Sequence, residues 1–216
     1  MKLYTYDHCP FCVRARMIFG LRGLPVEEVV LANDDEENPI RMIGAKQVPI
    51  LEKDDGSFMG ESLDIVRYVD ESAGKGRLKE NVRSEIQAWI DKVGKYSGKL
   101  IQPRTVKIGL PEFATASAVK YFVDKKEKNI GSFAGNLADT PALLAQINQD
   151  LKELEPLVDP VSDGINGEVG MEDILLFPVL RNLTIVSGIE FPKNTAAYLT
   201  RMGKASGVDL YFDRAI

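Results

Sequence analysis

The sequence predicts an α/β module followed by an all-helical domain. Two observations lead there. Over residues 1–72, short runs rich in β-formers alternate with apolar residues at helical spacing. After Ser72-Ala73-Gly74-Lys75-Gly76, a stretch of linker composition, the β signals largely stop and helical spacing dominates. The expected division is therefore 1–72 for the α/β module, 73–83 for a linker and 84–216 for the helical domain.

The elements follow in order. Leu3-Tyr4-Thr5-Tyr6 favours extended structure. Pro10 suits a first helical turn, where its missing amide hydrogen costs nothing. Val13, Met17 and Leu21 then recur every fourth residue with Ile18 between them, predicting a helix to Arg22. Val26 to Val30 reads as a second strand, the return of a βαβ unit. Asn33-Asp34-Asp35-Glu36-Glu37 places cap and acidic residues ahead of Ile40, Met42 and Ile43, as at the start of a short helix. Val48-Pro49-Ile50-Leu51 predicts a strand, Asp54-Asp55-Gly56 a hairpin turn and Ser57-Phe58-Met59 its partner. A helix from Glu61 to Val69 closes the module, with Leu63, Val66 and Val69 inward.

In the second half, Ile86, Trp89, Ile90, Val93 and Leu100 predict one helix running to Pro103. Thr140-Pro141 resembles a helix start, and Leu144, Ile147, Leu151, Leu154 and Val158 continue it, with Pro156 kinking or ending it. Asp159 to Gly170 is loop-like, and Met171 to Leu180 reads as a buried helix interrupted by Pro178. There is no internal repeat and no low-complexity tract.

Composition narrows the classes of partner. The 216 residues are 44% hydrophobic, enough for a packed core. A net charge of −5 and a pI near 5.1 argue against nucleic acid, whose phosphates are bound by basic surfaces. No apolar run approaches membrane-spanning length, and the N-terminal residues lack the pattern of a secretory leader, so a cytoplasmic protein with no membrane partner is expected.

Cys9 and Cys12 are the chain's 2 cysteines, and they stand in Asp7-His8-Cys9-Pro10-Phe11-Cys12 where a strand gives way to a helix. In a reducing compartment such a pair is more often catalytic than structural, and the placement reads as a thiol-disulfide site. The unsatisfied amides and dipole of the helix start favour an anion, so Cys9 is expected to be partly thiolate, with a pKa roughly in the 3.5 to 7.5 range of such motifs. Zinc is the alternative, but a closed site wants four ligands and the chain offers only His8 besides the two thiols. A cluster shared between two chains with an external thiol is also open. His8 could tune Cys9 or cap the loop. Val48-Pro49 could be cis, offering the Val48 backbone to a ligand, or could be an ordinary edge proline. Gly60-Glu61-Ser62 opens a helix whose amides and Ser62 hydroxyl can bind a carboxylate while Glu61 pairs with an ammonium, and it could equally be a cap.

Cys9-Pro10-Phe11-Cys12, then Val48-Pro49, then Glu61-Ser62, resembles the thioredoxin-fold half of glutaredoxins and glutathione transferases. The resemblance covers nearly the whole chain, because such a module followed by an all-helical domain is the glutathione-transferase architecture. Lys2-Leu3-Tyr4, Ala15-Arg16-Met17-Ile18-Phe19-Gly20 and Tyr121-Phe122-Val123-Asp124-Lys125-Lys126 are most similar to the bacterial glutaredoxins built that way. The resemblance implies a thioredoxin-like α/β domain, Cys9 as nucleophile, Cys12 as resolving thiol and a cis bond before Pro49. It also implies that Val48, Pro49, Glu61 and Ser62 form the glutathione site.

Phe11 stands where many glutaredoxins have tyrosine, so the phenol is lost. Gly60-Glu61-Ser62 replaces, in transferase fashion, the double glycine and aspartate of small glutaredoxins. Gly170 replaces the Ser or Thr cap usual ahead of the aspartate matching Asp173. The function so implied is a glutathione-dependent thiol-disulfide oxidoreductase, with glutathione as co-substrate, glutathionylated or disulfide-containing proteins as partners and a monomeric state. A transferase conjugating glutathione to electrophiles would share the fold and binding residues, but conjugation has no part for a second cysteine. A non-catalytic binding protein would need no acidic Cys9.

Overall fold

Leu3 on β1 (Lys2–Thr5) faces Leu51 on β3 (Ile50–Glu52) across the middle of a four-stranded sheet, and both side chains are fully buried. The computed structural model describes all residues from Met1 to Ile216. The strand order is β2-β1-β3-β4, with β2 (Glu27–Val30) parallel to β1 and both β3 and β4 (Phe58–Met59) added antiparallel. The parallel pair needs a crossover, which α1 (Pro10–Arg22) supplies. Its buried residues are Cys12, Val13, Ala15, Met17, Ile18 and Phe19, while Leu21 is only partly covered.

Helix α2 (Glu37–Ile43) packs on β3 and β4, and α3 (Ser62–Ser72) packs on α1. In α3 it is Ile65, Val66 and Val69 that are fully buried. Leu63 lies partly exposed instead of inward, because the buried face runs through Ser62, Ile65, Val66 and Val69, and the position one residue past Ser62 lies off that face.

The chain divides into two units, the first comprising Met1–Arg77, Gly109–Lys125 and Ser206–Val208. Residues 109–125 and 206–208 thus join the α/β module although they follow the linker in sequence. Gly20 explains part of this: a Cβ there would lie 1.9 Å from the Ser206 carbonyl oxygen, so only glycine lets α1 come so close to that segment. In the other segment, the Asn33 amide donates to the Glu112 carbonyl at 2.9 Å.

The second unit comprises Leu78–Ile108, Lys126–Ala205 and Asp209–Ile216. Its helices are α4 (Ser84–Gly94), α5 (Ser97–Thr105), α7 (Phe133–Ala138), α8 (Thr140–Leu154), α9 (Met171–Leu183) and, up to Ala205, α10 (Lys193–Ser206), while α6 (Ala116–Ile130) belongs to both units. The single helix expected from Ile86 to Pro103 is two. The chain breaks at Lys95-Tyr96, where the Tyr96 hydroxyl leaves the apolar stripe to bond the buried Asp150 carboxylate at 2.6 Å. Pro103 lies inside α5 and does not end it.

Helix α8 starts at Thr140 as expected, and Pro156 falls in a 3-10 turn, Glu155–Leu157, that finishes it. Helix α9 is buried almost throughout. Its Arg181, 1% exposed, spends its charge on the Asp209 carbonyl and the Tyr211 ring. No helix is long and apolar enough to cross a membrane.

Candidate active site

Cys9 is the N-cap of α1 and has no side-chain capping bond, so the first amides of the helix open towards its sulfur. The residue is partly exposed, whereas Cys12, one turn in, is fully buried, and both are free thiols. Their environments drive their acidities apart. The Cys12 thiol donates to the Cys9 sulfur; burial opposes this, while the His8 charge and the Cys12 and Phe11 amides assist. The balance brings Cys9 down to about 6. Burial, then the bond to Cys9 and its negative charge, pushes Cys12 well above the usual thiol range. The Tyr6 amide donates to the Cys12 sulfur at 3.4 Å, fixing it under the sheet end. One thiol is thus the more readily ionised, while its neighbour keeps its proton.

The other predicted site residues lie in the same unit. Val48 is buried in one hydrophobic cluster with Tyr6, Cys12, Leu31, Met42 and Ile50, and Cys9 packs against that cluster. The Val48-Pro49 bond is cis. Beside it, the Gln47 side-chain amide donates to the Glu61 carboxylate at 2.9 Å, tying the loop to the start of α3. Glu61 adopts a positive φ of 59°, a rare conformation for a side chain of its size, and its own side chain makes no capping bond to the helix. Ser62 follows as a buried hydroxyl at the first helical position. A strained residue and an uncapped helix start beside the thiol cluster are features a ligand site would use.

Sequence reasoning missed Glu112. The His8 imidazole Nδ1 lies 2.6 Å from Glu112 Oε1, and the His8 backbone amide donates to the same oxygen at 3.0 Å. The ring is boxed by Tyr6, Phe113 and Phe122, with centroids 5.8, 5.2 and 5.1 Å away. Neither Glu112 in Pro111-Glu112-Phe113 nor Phe122 carries a local signal pointing 104 residues back to the cysteine loop. Between the cysteines, Phe11 is 50% exposed with the Arg14 guanidinium over its ring at 4.8 Å, so an aromatic surface stands at the site's edge.

With this geometry in place, the comparisons decide the family. The model for "Glutaredoxin 2, C terminal domain" matches residues 85–215, more than half of the chain, and that for "Glutathione S-transferase, N-terminal domain" matches residues 3–77. Glutaredoxin 2 of Escherichia coli strain K12 is 50% identical over 216 residues, covering 100% of both chains. The chain belongs to the glutaredoxin 2 family. It is thereby a glutathione-dependent oxidoreductase of the glutaredoxin type on a glutathione-transferase-like fold.

A solved glutaredoxin 2 from Salmonella typhimurium, crystallised in complex with glutathione, superposes with a TM-score of 0.96 at 49% identity, covering 100% of this chain and 98% of its own. The Tau class glutathione S-transferase of mango shares the fold alone, with a TM-score of 0.55 at 18% identity over 94% of this chain and 87% of its own.

Proposed function

We propose that this glutaredoxin reduces protein-glutathione mixed disulfides and protein disulfides, with Cys9 as nucleophile and Cys12 as resolving thiol. The observation that carries this reading is the opposite ionisation of two thiols one helical turn apart. Only a thiolate attacks a disulfide, and a thiol of pKa near ambient pH combines thiolate population with nucleophilicity. Cys9 attacks the sulfur of the glutathionyl group, an S–S bond forms as the old one breaks, and the protein thiolate leaves and takes a proton. A second glutathione thiolate then attacks the glutathionyl sulfur of the Cys9 mixed disulfide; glutathione disulfide departs and the electron pair of the broken bond returns to Cys9 as its thiolate. With an intramolecular protein disulfide, Cys9 is instead trapped on the protein until Cys12, deprotonated once the Cys9 anion is consumed, attacks the Cys9 sulfur; the protein leaves as a dithiol, and two glutathione molecules reduce the resulting Cys9–Cys12 disulfide, becoming glutathione disulfide.

In this reading glutathione is the co-substrate, held by the Val48 backbone beside Pro49, with Glu61 on its ammonium and the α3 start with Ser62 on its glutamyl carboxylate. Support comes from the shared cluster of Val48 and the thiols, and from the Gln47 to Glu61 bond that fixes Glu61 beside it. A cytoplasmic, monomeric enzyme completes the proposal.

The test is a paired assay on wild type and Cys12→Ser. Cys12→Ser is expected to retain much of the deglutathionylation of a small glutathione mixed disulfide yet lose most reduction of intramolecular protein disulfides, with a covalent complex through Cys9 visible on a non-reducing gel. Equal survival of both activities with no complex would overturn the resolving role. Conjugation of an aryl halide without any disulfide exchange would replace the proposal by a transferase.

A further inference from the structure

A carboxylate that is 0% exposed is costly unless its charge is answered, and Glu112 is such a group. Its Oε2 has no hydrogen-bond partner in the protein, and its Oε1 is spent on His8, once on the backbone amide and once on the ring. With the carboxylate as acceptor, Nδ1 carries the hydrogen. His8 immediately precedes Cys9, whose amide is itself pinned to the Tyr6 carbonyl at 3.3 Å. A group serving only to close the loop would need the backbone bond alone. The short ring contact and the three-sided aromatic box add nothing to loop closure, but they fix where the imidazole stands.

We infer that Glu112 is a positioning residue of the active site: through its bond to Nδ1 it holds the His8 imidazole beside the nucleophile Cys9. This rests on the proposed role of Cys9 as nucleophile. The pair is a dipole with the imidazole, its positive end, on the residue next to Cys9, and the imidazole favours the Cys9 thiolate. Other titratable or charged groups around this corner are few. Tyr6, just past β1, has its phenol held above the ordinary range by burial and bonded by Lys46, Asp7 is paired with Arg16, and Tyr121 of α6 is bonded to Glu36. On α1 stand Cys12 and Arg14, the latter also favouring a Cys9 anion.

The experiment follows iodoacetamide alkylation of Cys9 against pH, read by mass on the Cys9 peptide of the full-length reduced protein. No disulfide substrate is present, so the readout is separate from the proposed reaction. A moved profile beside absent exchange activity would count against the proposed function and leave this inference standing. Glu112→Gln keeps an acceptor oxygen and removes the charge. Its midpoint is expected to rise by about one unit, which lowers alkylation at pH 6 about fivefold. His8→Gln should rise similarly, and adding Glu112→Gln to it should move nothing further. A Glu112→Gln profile superimposed on wild type, or an equal shift when His8 is already replaced, would overturn the inference. If Glu112→Gln does not fold, His8→Gln decides: an unmoved profile overturns the proposal and a raised one supports it.

Discussion

Two helix starts, one in each unit, solve the same electrostatic problem in opposite ways. At α9, Asp173 reaches back to accept from the Gly170 and Ile165 amides at 2.9 and 2.8 Å and from the Tyr198 hydroxyl at 2.9 Å. The anion belongs to the helix itself and is sealed, and burial raises its pKa in spite of those donors. Gly170 offers no side chain to cap with, yet the cap survives because its amide, not a hydroxyl, is the partner. At α1 no carboxylate serves the first turn, the N-cap has no capping bond, and the anion is the Cys9 sulfur on a partly open corner. A helix start capped by its own carboxylate is sealed; one left to a thiol favours the thiolate. What separates them is whether a fixed side chain consumes the amides.

The largest expected effect tests the reactive end. Cys9→Ser should drop glutathionyl exchange to background, since Cys12 is buried and holds its proton. Near-normal activity would place the nucleophile elsewhere.

The complementary change at the sealed end is Asp173→Ala, which strands two amides and a hydroxyl in the interior. At about 1 to 3 kcal/mol for each buried unsatisfied group, the loss from these three should be at least about 3 kcal/mol. Urea unfolding would measure it, while the Cys9 alkylation profile of the folded fraction stays in place. A shifted profile with intact stability would erase the contrast between the two helix starts.

Smaller effects refine the active corner. Removing the proposed charge-assisted contact in Glu61→Ala should raise the glutathione concentration needed for half-maximal exchange about tenfold. Ser62→Ala should act in the same direction, and an unchanged requirement in the double variant would leave both residues to the fold. Cys12→Ala deletes the leading cause of Cys9 acidity, so the Cys9 midpoint should rise above about 6.

Linkage carries the same sign into stability. Because the folded pKa of Cys9 is depressed, its thiolate contributes fully to stability above the unfolded value of about 8.5. That contribution is lost as pH falls through about 6. Reduced wild type should therefore lose more stability than Cys9→Ser over that fall, a difference readable by denaturant titration at both pH values.

Much of this molecule was legible in the chain because the signals are local. The alternation of strand and helix through residue 72, Pro10 at a first turn, the Asp54-Asp55-Gly56 hairpin and the Thr140-Pro141 helix start all depend on neighbours a few residues away. So does the cysteine pair, whose spacing and helix start foretell unequal thiols. Tertiary structure alone decided the rest. The helix breaks at Lys95-Tyr96, where the Tyr96 hydroxyl meets Asp150, and Ile65 rather than Leu63 lies on the buried face of α3. Glu112 arrives at His8 from 104 residues away. Burial, charge pairing and close approach depend on distances in space, which residue spacing encodes only within an element, so the carboxylate that meets the imidazole next to Cys9 was invisible until the chain was folded.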